Sequence, residues 1–176
     1  TTLQSVIAAV ESEYANTEDL DHQFSSAFKR LRQLLPNVAI PRVYAQISAL
    51  DQSIVVGNGT IGISLDKYLG PNYPLYAKFY SPTQRKQMSR EYILPDCMTF
   101  YLMSVYPLQH FESRPQVERD LQIGKIQWLV NQVMSKRIYH SRYEEAVDEY
   151  MKKNPKISYE ELLRMTDFSK FNTTGY

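Results

Sequence analysis

The sequence predicts an α+β domain: a small antiparallel sheet of about three strands packed against a mainly helical body. Three observations carry that prediction. Apolar residues recur at helical spacing from Leu3 to Tyr14 and again from Leu20 to Leu35. From Pro41 the period drops to two, and an Asn58-Gly59 pair separates two β-branched segments. Beyond Tyr80, four serines each stand three residues before a Glu or Gln, the pattern of a capped helix start.

The first helix rests on Leu3, Val6, Ile7, Val10 and Tyr14, which fall on one helical face, and Asn16 and Thr17 interrupt it. Thr17 is placed to cap a second helix. Glu18, Asp19 and Asp21 sit in its first turn and Lys29, Arg30 and Arg32 toward its other end, so charge follows the helix dipole. Its buried stripe is Leu20, Phe24, Ala27, Phe28, Leu31 and Leu35, and Pro36 stops it.

Val43, Ala45 and Ile47 then alternate with Tyr44, Gln46 and Ser48, which describes a half-buried strand. Segments 53–56 and 60–64 flank Gly57-Asn58-Gly59 and read as a hairpin. Three strands of this length need helices on one face to be stable. The matches at Ser81, Ser113, Ser141 and Ser158 set helices near 82–91, 95–106, 115–136, 142–153 and 159–166, with Pro107 and Pro155 ending the second and fourth. No repeat, low-complexity tract or linker interrupts the chain, so residues 1–176 are expected to form a single domain.

Composition narrows the function classes. With 43% hydrophobic and 22% charged residues the chain is of ordinary globular type. Its net charge of +1 gives no electrostatic footprint for nucleic acid. The longest apolar run, Met98 to Tyr106, is too short to span a bilayer. A single cysteine, Cys97, allows no internal disulfide. The sequence opens at Thr1 without a signal-peptide pattern; either a targeting segment has been removed from it or none belongs to it. The 14 tyrosines suit surface recognition, but amphipathic core packing is the stronger reading.

No catalytic or metal motif survives inspection, and no cofactor is expected. A zinc protease needs two histidines four apart on a helix with a glutamate between them, whereas His22, His110 and His140 are scattered. Cys97 opens an apolar helix beside Asp96, where a buried, inert thiol is the stronger reading. Asp66 and Asp96 each stand where apolar sequence gives way to a turn, which suits paired carboxylates in a cleft. Helix capping explains both more simply: Asp66 for the Lys67-Tyr68-Leu69 turn, Asp96 for the first turn of its own helix. Gly57-x-Gly59-x-x-Gly62 has dinucleotide spacing but lies in a hairpin, not at a strand-to-helix junction. Gly124, inside a helical pattern, indicates close approach of another element; the alternative places Gly124-Lys125 beside a groove.

Four segments in this order resemble one family: Pro41-Arg-Val-Tyr44, Ile63-Ser-Leu-Asp-Lys-Tyr-Leu-Gly70, Tyr92-Ile-Leu-Pro-Asp-Cys-Met98 and Ile123-Gly-Lys125. Over roughly residues 20 to 135 the chain is similar to the GldB-type gliding-motility lipoproteins of Bacteroidetes, the Leu-Asp-Lys-Tyr-Leu-Gly block being the most specific part. The resemblance implies an envelope lipoprotein, on the periplasmic side or the cell surface, anchored through an N-terminal lipidated cysteine that this sequence does not carry. It also implies a zincin-like fold in which the Asp96–Tyr106 helix takes the place of the metal-binding helix. Ile123-Gly124 then falls where many relatives carry Glu-Gly. This sequence has neither the histidines nor that glutamate, so no metal is expected.

Three functional readings follow. The leading one is a non-enzymatic envelope domain, a degenerate zincin-like scaffold for interaction or assembly. It binds no nucleic acid and meets the membrane only through its lipid anchor. Its partner groove is expected around Asp66, Lys67, Tyr68, Asp96 and Lys125. The second is a hydrolase using Asp66, Asp96 or Cys97 in a cleft beside the sheet. The third is a module for an extracellular peptide or glycan, presenting exposed Tyr68, Tyr73, Tyr76 and Tyr80.

Overall fold

A computed structural model describes residues 2–174. The elements run α1 (Thr2–Glu13), α2 (Glu18–Leu34), β1 (Arg42–Gln46), β2 (Ile54–Gly57), β3 (Thr60–Ser64), α3 (Pro82–Lys86), α4 (Ile93–Val105), α5 (Gln116–Met134), α6 (Arg142–Lys153) and α7 (Tyr159–Arg164), with short 3-10 turns between several of them. The expected α+β class stands. The chain forms two compact units, Thr1–Phe28 with Ala39–Phe100 and Lys29–Val38 with Tyr101–Tyr176, and the division falls within α2 and within α4.

The first unit holds the sheet, and here one expectation changes. The strand order is β1-β3-β2, with β2 antiparallel to β3 but β1 parallel to it. The sheet is therefore mixed rather than antiparallel throughout. The reason is topological. The loop after β1 carries the chain past the end of β3's position, and the Asn58-Gly59 hairpin reverses it again. β3 thus re-enters between its neighbours running in the direction of β1. Gly59 supplies the left-handed turn conformation, with φ +71°.

Centrality decides burial. Ile61, Ile63 and Ser64 of β3 are buried, whereas β1 is an edge strand. The expected buried face of β1 is not realised: only Val43 is half-covered, and Ala45 and Ile47 are exposed. Tyr44 stands opposite Gly62 and lays its ring over it, where a Cβ would come within 2.7 Å of the ring.

Both expected amphipathic helices are present. All six residues of the α2 stripe are buried, as are Val6 and Val10 of α1 and Tyr14 just past its end, while Leu3 is exposed. The side chain at the start of α2 is that of Asn16, which accepts from the Glu18 N–H at 2.9 Å; Thr17 offers its backbone carbonyl to Asp21. α3 is shorter than the 82–91 segment expected. The Met88 carbonyl is taken by the Gly70 N–H at 2.8 Å, and the chain turns extended at Ser89.

Ser81, Ser141 and Ser158 cap α3, α6 and α7 as expected, and at Ser81 the backbone N–H donates in return to Gln84 Oε1, completing the box. Ser113 does not cap α5. Its hydroxyl donates to the His110 carbonyl, and α5 begins after Pro115. In the second unit α5 packs on α6. Gly124 is the contact point: a Cβ there would lie 2.9 Å from the Tyr143 backbone. The close-approach reading of Gly124 holds.

Candidate functional site

The Leu65-Asp66-Lys67 turn follows β3 directly, at the end of the sheet past which the β1–β2 loop must travel. Asp66 is fully buried there. One carboxylate oxygen accepts from the Ser48 N–H at 3.0 Å and the other from the Leu50 N–H at 2.6 Å. Ala49 and Leu50, both non-glycine, are left-handed, with φ +56° and +67°. Such a pair costs energy on its own, and the carboxylate holds it by pairing two amide groups of the loop. Asp66 is a clasp across the sheet end; it does not cap the Lys67-Tyr68-Leu69 turn.

The rest of the block is tied down by tyrosines. The Tyr76 hydroxyl donates to the Asp66 carbonyl and accepts from the Leu69 N–H, and the Tyr14 hydroxyl donates to the Tyr68 carbonyl. The Tyr68 hydroxyl donates to Asp96 Oδ2 at 2.7 Å. Lys67 Nζ donates to the Tyr80 hydroxyl at 2.8 Å, and that hydroxyl reaches the Leu50 carbonyl at 3.4 Å. Burial pushes the Tyr14 and Tyr76 hydroxyls well above the ordinary tyrosine range. Tyr68 is 2% and Tyr76 0% exposed, so these two do not present the exposed surface expected of them; Tyr73 and Tyr80 are half-buried. The rings of Tyr73, Tyr76 and Tyr80 pack edge-on at 5.0 and 5.7 Å.

Beside this block, Cys97 is buried in α4, and burial first, then the Asp96 charge, push its thiol far above its usual value. Among the described residues no group of three or more His, Cys, Asp or Glu is placed to hold a metal ion. The α4 side chains do not fit the zinc site of a protease: the helix carries Asp96 and Cys97 and no histidine, and Asp96 is engaged by Tyr68. A contact that sequence reading missed lies in the same unit. Arg90 makes a two-pronged pair with Asp19 at 2.6 and 3.0 Å and donates to the carbonyls of Glu13 and Asn16. It fastens the α1–α2 turn to the segment before α4.

Lys125 belongs to the second unit, on α5, and is fully buried. Its ammonium donates to Gln122 Oε1 at 3.0 Å and to the Met165 carbonyl, and it lies 4.5 Å from the centre of the Phe168 ring. Among the described residues no carboxylate forms an ion pair with it. Burial, with a smaller contribution from the Arg114 charge, lowers its pKa to about 8. The Gln122-x-x-Lys125 spacing puts both residues on one helix face and was a readable signal.

The second unit also contains an open cleft of two adjoining parts, about 700 and 440 Å³, which share Gln132, Asp148 and Lys152. The larger is lined by Trp128, Met151, Ile157 and Tyr159 with Leu34 and Pro36. Asp148 accepts from Trp128 Nε1–H at 3.0 Å and pairs with Lys152 at 2.8 Å. Burial works against ionisation of Asp148, but the bonds from Lys152 and Trp128 prevail and hold its carboxyl below the usual range. Glu144 pairs with Arg137 at 2.6 Å and accepts from Asn131 at 3.2 Å, while Asn131 Oδ1 accepts from the Ile138 and Tyr139 N–H groups.

These features define an α+β protein in which the buried Asp66, Lys125 and Glu144 are each tied to a structural partner. The family model for gliding motility protein GldB matches residues 1–140 of the 176, and the chain belongs to this family of gliding-motility lipoproteins. No curated protein and no solved structure matches. Membership agrees with the resemblance carried by the Leu-Asp-Lys-Tyr-Leu-Gly block and places the chain among lipid-anchored envelope proteins. Among the described residues no helix is long and apolar enough to cross a membrane.

Proposed function

We propose that this chain is the non-enzymatic interaction domain of an envelope lipoprotein, a zincin-like scaffold that works by holding or assembling a protein partner. The observation that carries the reading is the use made of Asp66. The carboxylate best placed for chemistry, in the most family-specific block, spends both oxygens on the Ser48 and Leu50 amides. Asp96 and Cys97, the other candidates for a hydrolase, are respectively bonded to Tyr68 and buried with a raised pKa. A nucleophile or base must be reached by its substrate; Asp66 and Cys97 are fully buried, and the Asp96 carboxylate accepts from Tyr68.

The test is to equilibrate the purified protein with zinc, remove loose metal, and measure both retained zinc and cleavage of an unfolded protein substrate. The expected result is retention far below one ion per chain and no chelator-sensitive cleavage. One zinc per chain together with peptidase activity abolished by chelation would overturn the proposal.

A further inference from the structure

We propose that the cleft of the second unit, between α5, α6 and the end of α2, is the docking site for an acidic, partly apolar peptide segment of the envelope partner. This rests on the interaction reading above and gives it a place and a ligand chemistry. Across its two parts the cleft is lined by five cations, Arg30, Lys136, Arg137, Lys152 and Lys156, and two carboxylates, Glu144 and Asp148. Both carboxylates are already neutralised, Glu144 by Arg137 and Asp148 by Lys152. Among the described residues no ion pair engages Arg30, Lys136 or Lys156. The whole chain carries a net charge of only +1, so three uncompensated cations around one cleft are a local surplus rather than a basic surface.

The apolar lining decides the kind of anion. Leu34, Pro36, Met151, Pro155 and Ile157 form an apolar wall beside the charged rim, and a volume of about 700 Å³ is ample for several side chains of an extended segment. Single-stranded nucleic acid is held by aromatic faces open for stacking, but Trp128 is 5% exposed with its indole N–H committed to Asp148, and the half-buried Tyr159 packs edge-on with it at 5.4 Å. Bulky side chains fill such a wall while carboxylates between them meet the rim, the arrangement of a polar rim around an apolar centre.

Trp128 is the only tryptophan of the chain and lines the cleft, so its fluorescence is a built-in reporter. The probe is a synthetic peptide alternating glutamate with leucine and phenylalanine, and the control has lysine for glutamate. The acidic peptide is expected to shift Trp128 emission saturably and to weaken with added salt. The triple reversal Arg30→Glu, Lys136→Glu, Lys156→Glu, its fold checked by circular dichroism, should lose at least about tenfold in affinity. Equal response to both peptides, none to either, or unchanged affinity in the triple variant would overturn the proposal. Anionic phospholipid vesicles moving Trp128 emission where the peptide does not would overturn it in favour of a membrane contact. A partner still cross-linked to the triple variant in whole cells would overturn this site and leave the interaction reading standing. Zinc-dependent peptidase activity would defeat that reading without altering peptide binding.

Discussion

The two units solve the burial of charge in opposite ways. In the first, Asp66 is surrounded by backbone donors and holds two left-handed loop residues, so the buried charge organises the fold. In the second, Lys125 is equally buried but meets an amide oxygen, a carbonyl and an aromatic face, none of which carries a full negative charge. A buried ammonium that meets only neutral acceptors gives part of its proton affinity away, as Lys125 does. Polar clasps therefore secure the first unit, and tight helix contact secures the second.

The largest test of that contrast is Asp66→Asn. An amide keeps one acceptor and turns an NH₂ toward an N–H, so one charge-assisted bond is lost and one donor is stranded. A loss of about 3–5 kcal/mol by chemical denaturation is expected. A loss under about 1 kcal/mol would mean the loop needs no clasp.

Next comes pH. The folded protein holds the Lys125 proton less tightly than the unfolded chain, so this residue makes stability rise between pH 8 and 10.5. The difference between wild type and Lys125→Met isolates up to about 3 kcal/mol across that window. The first unit behaves in reverse. Unfolded tyrosines ionise near pH 10, while Tyr14 and Tyr76 stay protonated in the fold, so their contribution is lost as pH rises past 10.

Gly124→Ala should cost about 2 kcal/mol, because the added methyl meets the α6 backbone rather than a side chain that can swing away. Smallest is Arg90→Lys, which loses the two-pronged geometry with Asp19 and at least one carbonyl contact while keeping the charge. A fall of only a few degrees in melting temperature is expected, since the pair is half-exposed.

The sequence made helices legible and long-range polar contacts illegible, for a physical reason. The α2 stripe and the serine caps are local patterns, readable within one or two turns. Ser113 shows the limit: the right spacing is present, but Pro115 resets the helix start. The parallel pairing of β1 depends on how a loop travels, which residue alternation does not record. Asp66 could be placed in a turn from sequence, but its partners lie 16 and 18 residues earlier, beyond any local rule. At Gly124 the anomaly was visible and its cause, α6, was not. Of the expected groove residues, Asp66, Lys67, Tyr68 and Asp96 fall in one unit and Lys125 in the other. Asp148–Lys152 stands at i,i+4 on one helix and is a local pattern, whereas the Glu144–Arg137 pair and the gathering of cations around one cleft needed the tertiary structure to be seen.

The mixed sheet has a kinetic side. β2 and β3 are joined by a two-residue turn and can zip together early, whereas β1 pairs with β3 only after the intervening loop has bent around the strand end. β1 has one free edge and little buried surface to retain it. Its amide protons are therefore expected to exchange with solvent sooner than those of β2 and β3, and to be the first protection lost when Asp66 is altered. On this reasoning β1 is expected to be the last strand to pair and the first to open.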